Sequence, residues 1–266
     1  MPYFSTNTGT GPPLLLLHGF TGCTRNWEPL VPHLAQSHTV VTVDLPGHGQ
    51  TASPADLAFY RMGPLATKLI TLMEGLGHAT FDLLGYSMGG RLALFMAAHY
   101  PKQISRLVLE SASPGLKTAK EREARTSSDN GLADRIEREG IESFVNFWES
   151  ISLWESQESL SAASKTNLRS IRLSNNPAGL ANSLRGMGTG QQPSLWPLLP
   201  KLNLPVLLLT GELDHKFCTI AQEMHKLLPN GLHHTIPAAG HTVHLEQPEA
   251  WSHAVSQFLK SVNSKQ

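Results

Sequence analysis

The sequence predicts an α/β protein with a mostly parallel central sheet, on two observations. Short apolar runs alternate with longer helical patterns along most of the chain, which is typical of a sheet with helices on both faces. Turn residues follow these runs and favour strands that end abruptly. Because ligands bind beyond the carboxyl ends of parallel strands, chemistry is expected just after each run. The predicted strands include residues 14–17, 40–43, 81–84, 107–109, 206–209 and 232–236.

Residues 114–203 interrupt this alternation. They contain a charged helical stretch, Lys120 to Arg125, and an aromatic helical stretch around Phe144, Phe147 and Trp148, but no strand pattern. Both flanks of this segment are needed to complete one sheet. We therefore expect a single domain, with residues 1–113 and 204–266 as its core and 114–203 as a helical cap inserted over the carboxyl edge.

The bulk composition excludes several classes of protein. Lys plus Arg and Asp plus Glu number 21 each, so no net charge favours nucleic acid or an anionic membrane. No apolar run reaches the roughly 20 residues that cross a bilayer, and the first residues lack a signal-peptide pattern. Cys23 and Cys218 form no metal-binding or disulfide pattern. We expect a cytoplasmic protein without metal or cofactor, whose oligomeric state stays open.

The segment Gly85-Tyr86-Ser87-Met88-Gly89 follows a predicted strand and precedes a helical pattern. A serine with a glycine two residues away on each side is typical of a nucleophile elbow. Such a turn raises the hydroxyl above the sheet and directs a helix N-terminus at it. The pattern alone also occurs in ordinary turns with an idle serine, so its partners decide the interpretation.

Two later positions supply those partners. Asp214 follows the strand at 206–209, and His241 follows the strand at 232–236 and precedes a final helix that begins at Pro248. A histidine takes the serine proton, and a carboxylate orients the imidazole and stabilises its charged form. The chain order Ser, Asp, His is the order expected for an elbow of this kind. We predict a catalytic triad of Ser87, Asp214 and His241.

Two backbone amides are predicted to form the oxyanion hole. One belongs to Met88, directly after the serine, and the other to Phe20 in the loop His18-Gly19-Phe20-Thr21-Gly22. His18 itself is interpreted as a buried structural histidine rather than a second base. The turn from Asp44 to Gly49 is expected to pack against this loop.

These segments together resemble the α/β-hydrolase superfamily. Within it, the chain is similar to the 2-succinyl-6-hydroxy-2,4-cyclohexadiene-1-carboxylate synthases of menaquinone and phylloquinone biosynthesis. The more specific matches are Arg91 after the elbow, and two short segments on either side of the cap. Those segments read Glu110-Ser111-Ala112-Ser113-Pro114-Gly115-Leu116 and Asp214-His215-Lys216-Phe217.

The resemblance implies a lyase rather than a hydrolase. In this family Ser87, helped by His241, acts as a base on a carbon beside a ketone, and pyruvate leaves by elimination without an acyl-enzyme. The substrate carries several carboxylates, which arginine grips through paired charged hydrogen bonds. The family match assigns carboxylate binding to Arg91, Arg125 and Arg172, while Tyr86 and Trp148 line the pocket.

Two alternatives stay open at this point. A serine hydrolase of carboxylic esters, or of carbon–carbon bonds in ring-cleavage products, would use the same triad. A non-catalytic small-molecule receptor could also adopt the fold, although an intact triad argues against it. The choice between Arg122 and Arg125, and between Arg169 and Arg172, depends on helix register alone.

Overall fold

The computed structural model describes residues 3–261, so Met1, Pro2 and residues 262–266 of the predicted core lie outside it. Within that range the chain forms one seven-stranded sheet in the order β1-β3-β2-β4-β5-β6-β7. All six predicted strands are present, which confirms the mostly parallel α/β fold. The strands are β1 (Ser5–Thr8), β2 (Pro13–Leu17), β3 (Thr39–Val43), β4 (Phe81–Tyr86), β5 (Ile104–Glu110), β6 (Val206–Gly211) and β7 (Gly231–Ile236).

The first strand was absent from the sequence prediction. β1 pairs antiparallel with β3, whereas the other neighbouring strands pair in parallel. Its sequence, Ser5-Thr6-Asn7-Thr8, is polar, and most of the strand is exposed. An edge strand of this kind has no apolar run to detect, because one face and one edge remain in water.

Successive residues of the inner strands enter two different cores, because side chains alternate across a strand. On β2, Leu15 and Leu17 pack on one face of the sheet, and Leu14 and Leu16 pack on the other. The first face is covered by α2 (Met62–Gly75), α3 (Met88–His99) and α7 (His215–His225); the second is covered by α1 (Val31–Leu34) and α9 (Pro248–Ser261). Burial on both faces explains why these strands are continuous apolar runs.

The segment between β5 and β6, residues 111–205, is called the helical insertion below. It contains a separate apolar cluster that includes Ile136, Phe144, Leu180 and Leu184. The predicted charged and aromatic helices are both present, as two helical parts that meet at a kink at Gly140, where φ is +79°; they are numbered together as α4. The core and cap boundaries at 113/114 and 203/204 stay a prediction. The α-helices of the insertion are α4 (Ala119–Glu149), α5 (Ala162–Leu173) and α6 (Pro177–Met187).

The described residues contain no helix that is long and apolar enough to cross a membrane. They also contain no group of three or more His, Cys, Asp or Glu side chains arranged to hold a metal ion. Cys23 and Cys218 are both free thiols.

Candidate active site

The turn between β4 and α3 lifts Ser87 above the carboxyl edge of the sheet. Ser87 adopts φ +51° and ψ −108°, a conformation that L-residues rarely populate. The flanking glycines are required by close backbone approach. A Cβ atom on Gly85 would lie 2.4 Å from the Gly89 carbonyl oxygen, and one on Gly89 would lie 2.3 Å from the Leu17 carbonyl oxygen. The tight turn leaves the Ser87 hydroxyl half-buried at the base of a cavity.

The structure brings Ser87, His241 and Asp214 into one hydrogen-bonded chain. Ser87 Oγ lies 3.0 Å from His241 Nε2, and His241 Nδ1 lies 2.6 Å from Asp214 Oδ2. With Nδ1–H donating to the carboxylate, the Nε2 lone pair faces the serine hydroxyl. Both His241 and Asp214 are buried, so their interaction is little screened by water. This geometry can remove a proton from Ser87 and stabilise the resulting imidazolium.

Asp214 is itself held in place by the start of α7. Its Oδ1 accepts a hydrogen bond of 3.3 Å from the Phe217 amide. The carboxylate therefore serves as the N-cap of this helix and as the partner of His241 at the same time. Capping fixes the rotamer of Asp214, which in turn fixes the imidazole.

The predicted oxyanion-hole residues both line the cavity. Met88 is the first residue of α3, so its amide has no intrahelical acceptor and lies at the positive end of the helix dipole. Phe20 belongs to the loop after β2, and its ring makes edge-to-face contacts with Phe144 and Trp148 of the insertion. The amide roles of Phe20 and Met88 stay predictions.

His18 has the structural role expected of it. Its Nε2 accepts a hydrogen bond of 3.0 Å from the Leu45 amide, and its Nδ1 lies 2.8 Å from the Gly19 carbonyl oxygen. Burial lowers the pKa of His18 to about 4, against the opposing effect of the Gly19 bond. The neutral ring thus ties the Phe20 loop to the Asp44–Gly49 turn.

A cavity of about 240 Å³ lies between the triad and the helical insertion. Its lower wall contains Tyr86, Ser87 and His241, and its upper wall contains Trp148 and Trp154. The Nε1 atoms of both tryptophans are buried without a hydrogen-bond partner among the described residues. They are donors that a bound ligand could satisfy. Burial raises the pKa of Tyr86, whose hydroxyl is 3.1 Å from Thr242 Oγ1.

Arg91 lines this cavity and is only 8% exposed. Its guanidinium donates to two neutral acceptors, the Met187 carbonyl oxygen at 2.9 Å and Gln192 Oε1 at 3.3 Å. Burial, followed by the neighbouring Arg125, lowers the pKa of Arg91 to about 10, so the group stays cationic near neutrality. The nearby carboxylate of Asp129 acts in the opposite direction on this pKa, but it is paired with Arg125, and no carboxylate among the described residues forms an ion pair with Arg91 itself.

Arg125 also lines the cavity. Its Nε donates to Asp129 Oδ1 at 2.7 Å, and 44% of its side chain is exposed. Arg122, the alternative register, donates instead to the backbone carbonyls of Leu116 and Lys117 and is not part of the cavity wall.

The structure does not bring Arg172 to this cavity. Arg172 is 5% exposed and donates to Glu149 Oε1 and to Gln157 Oε1, each at 3.1 Å. Its guanidinium lies 5.2 Å from the ring centre of Trp154, in the wall of a smaller neighbouring cavity. The expected convergence of three arginines in one cavity is therefore not observed. Trp154 lines the triad cavity, and Arg172 lies next to its ring in the neighbouring cavity instead. Carboxylate binding by Arg172 stays a prediction.

Trp154 and Lys216 are among the residues of the cavity wall that were missing from the sequence-based site. Trp154, from a short 3-10 helix at Ser152–Ser159, contacts both Trp148 and the ring of His241. Lys216 lines the cavity without an ion pair among the described residues. It stands in the first turn of α7, where the helix dipole disfavours a cation. The sequence signal that could have identified Lys216 as a site residue was its position two residues after Asp214.

The strand order, the nucleophile elbow and the hydrogen-bonded triad are together typical of one class of proteins. The chain belongs to the α/β-hydrolase fold family, whose model matches residues 12–248.

Comparison with individual proteins narrows this class. A Bacillus subtilis (strain 168) protein provisionally named 2-succinyl-6-hydroxy-2,4-cyclohexadiene-1-carboxylate synthase is 47% identical, over 94% of this chain and 90% of its own. The synthase of that name from Enterobacter sp. (strain 638) is 34% identical, over 94% and 92% of the two chains. The solved structure of MenH from S. aureus superposes with a TM-score of 0.93 at 36% identity, covering 98% of each chain.

Proposed function

We propose that this protein is a carbon–oxygen lyase of menaquinone or phylloquinone biosynthesis. It eliminates pyruvate from 2-succinyl-5-enolpyruvyl-6-hydroxy-3-cyclohexene-1-carboxylate and leaves 2-succinyl-6-hydroxy-2,4-cyclohexadiene-1-carboxylate. The names of the relatives support this activity, as does their similarity along nearly the whole chain. We further propose a cytoplasmic location, in keeping with two free thiols.

The observation that carries the proposal is the buried charge of Arg91. A buried cation without a carboxylate partner is costly unless a ligand supplies one. A substrate with several carboxylates supplies it, whereas a neutral ester does not. Lys216 and Arg125, the latter paired with Asp129, add two further cationic side chains to the same cavity wall.

In the proposed reaction, Ser87 transfers its hydroxyl proton to His241 Nε2, and Asp214 stabilises the imidazolium. The serine oxygen then takes the ring proton beside the succinyl ketone. The electron pair moves onto the ketone oxygen, where the amides of Met88 and Phe20 stabilise the enolate. As the enolate collapses, the ring double bond shifts and the carbon–oxygen bond to the enolpyruvyl group breaks. Enolpyruvate leaves and gains a proton to become pyruvate.

A serine hydrolase is the competing function, since the same triad can attack an ester carbonyl. The two functions differ in the bond that Ser87 forms. The hydrolase requires a covalent acyl-Ser87 intermediate and a water molecule, and the lyase requires neither.

The test is release of pyruvate from the enolpyruvyl substrate, followed through a coupled lactate dehydrogenase. We expect turnover well above the spontaneous rate, and a loss of about three orders of magnitude or more in Ser87→Ala. Ser170→Ala, which removes an exposed hydroxyl on α5, serves as the control and should retain parental activity. Pyruvate release no faster than the spontaneous rate would refute the lyase, and rapid turnover of nitrophenyl esters would then favour the hydrolase.

A further inference from the structure

The loop that carries His241 is bound on both sides by one carboxylate. Glu246 Oε2 accepts a hydrogen bond of 2.6 Å from the Gly240 amide, and Glu246 Oε1 accepts one of 3.0 Å from the Thr242 amide. Gly240 and Thr242 are the two neighbours of His241 in the chain. The carboxylate therefore clamps the backbone at the residue whose side chain must meet both Ser87 and Asp214.

This clamp depends on a carboxylate at position 246. Glu246 ends the single-turn helix α8 (Val243–Glu246), so its side chain can fold back over the loop that precedes the helix. Bonds from amides to an ionised carboxylate are short and about twice as strong as neutral ones. A carboxylate offers two accepting oxygens, whereas the amide of glutamine offers only one. Glutamine at this position can keep at most one of the two bonds in place.

The far side of the loop has its own anchors. The His244 amide and Nδ1 bond to Glu110 Oε1 at 3.1 and 2.8 Å, and the fully buried Glu110 also accepts from Trp251 Nε1. These bonds do not involve Glu246, which is only half-buried and outside the cavity wall. The Thr242 hydroxyl is also held independently, by Tyr86 at 3.1 Å and Gln157 at 2.9 Å. Loss of the Glu246 carboxylate should therefore release the amides on either side of His241 while the Thr242 side chain and the rest of the loop stay docked.

We propose that Glu246 is a positioning residue for His241. His241 must keep Nδ1 within 2.6 Å of Asp214 and Nε2 within 3.0 Å of Ser87 at the same time. A displacement of about 1 Å in such an arrangement can cost on the order of a hundredfold in rate. The role rests on proton transfer from Ser87 to His241, as in the proposed function, but it does not depend on the identity of the substrate.

The first test compares Glu246→Gln and Glu246→Ala in the pyruvate-release assay. Near-ultraviolet circular dichroism gives the folded fraction of each protein, and each rate is divided by that fraction. We expect kcat to fall about tenfold in the glutamine variant and further in the alanine variant. KM should stay within about twofold of the parental value, because Glu246 does not line the cavity. A change in KM without a change in kcat would overturn the proposal.

A second readout separates this proposal from the proposed function. Phenylmethylsulfonyl fluoride reacts with a serine only when a neighbouring base activates it. Its second-order rate with Ser87 should fall by the same factor as kcat in each Glu246 variant. If the parental protein released no pyruvate, the lyase assignment would fail, and this rate would still measure the effect of Glu246.

Glu212 provides the matched control. Its Oε2 accepts a hydrogen bond of 3.2 Å from the Ala238 amide, which lies in the same loop but does not adjoin His241. We expect Glu212→Gln to leave both rates within about twofold of the parental values. Equal losses in Glu212→Gln and Glu246→Gln would overturn a specific role for Glu246, and so would parental labelling rates in both Glu246 variants.

Discussion

Ser87 and Arg91 lie one helical turn apart and have separate tasks in the proposed reaction. The Arg91 amide donates to the Ser87 carbonyl oxygen at 2.9 Å, so the helix fixes the spacing between the reacting hydroxyl and the buried cation. Ser87 and His241 supply a reactivity that many hydrolases share. In the proposed function, Arg91 supplies the charge that distinguishes a polycarboxylate from other substrates.

The role of Arg91 leads to a prediction about specificity. Arg91→Ala removes a charged hydrogen bond to the bound substrate, which contributes about 1.5–3 kcal/mol. We expect kcat/KM for pyruvate release to fall by roughly 10- to 150-fold, and any side activity on a neutral nitrophenyl ester to change much less. Steady-state kinetics with both substrates measure the difference. Equal losses with the two substrates would contradict carboxylate binding by Arg91.

At the residue scale, the sequence was most informative where strands end. Ser87, Asp214 and His241 each follow a strand, and the parallel sheet carries the ends of its strands to one edge. The helical insertion offers no such rule. There, packing against Trp154 and pairing with Glu149 decide where Arg172 lies, and neither contact is visible in the local pattern. The bonds from Glu246 were equally hidden, because they depend on the path of the loop.

Among the secondary-structure elements, the turn between β4 and α3 combines function with backbone strain. Ser87 has a positive φ of 51°, and a non-glycine residue held in such a conformation costs about 1–3 kcal/mol. Backbone atoms pack closely around Gly85 and Gly89, on either side of Ser87, and leave no room for a Cβ atom at either position. The protein therefore retains a strained serine at this position.

This strain predicts a difference between two inactive variants. Ser87→Gly and Ser87→Ala both lack the hydroxyl, but only glycine adopts a positive φ at little cost. We expect Ser87→Gly to have a free energy of unfolding about 1 kcal/mol higher than Ser87→Ala. Urea unfolding of the two proteins gives the comparison. If Ser87→Gly proved equally or less stable, the turn would not be strained at Ser87.

The sequence predicted strands better than it predicted element ends. Apolar runs located β2 to β6, since nearly all of their residues are buried. The edge strand β7 is mostly exposed, and the turn at Pro237 marks its end. The sequence carried no signal for β1, whose four residues are polar and mostly exposed. It did predict the two helical parts of α4, a charged one and an aromatic one, but not that they meet at the kink at Gly140.

For the molecule as a whole, two buried histidines link stability to pH. Burial lowers the pKa of His18 to about 4 and that of His48 to about 3, from 6.5 in the unfolded chain. Below pH 6.5 the unfolded chain therefore binds protons that the folded protein excludes. The contribution of these two histidines to the free energy of unfolding therefore falls as the pH falls through this range. Asp82, whose pKa burial raises to about 6, acts in the opposite direction but by less than the two histidines together.

The expected loss between pH 7.5 and pH 5.5 is about 1.4 kcal/mol for each of these histidines. Urea unfolding at the two pH values measures it. His48→Phe removes one titrating group from the pair and keeps a ring of similar size beside His18 and Phe20. The pH-dependent loss should shrink by about 1.4 kcal/mol in this variant. An unchanged loss would show that His48 is not kept neutral by the fold.

The central claim is that a hydrolase-type triad catalyses an elimination, and the mass of the ring product tests it most directly. Elimination gives a product with the mass of the substrate minus pyruvate. Hydrolysis of the enolpyruvyl group gives a product heavier by one water, which carries a second ring hydroxyl where the enolpyruvyl ether stood. We predict that mass spectrometry of the enzymatic reaction will find the lighter, diene product formed in equal amount to pyruvate. The hydrated product as the main species would contradict the claim.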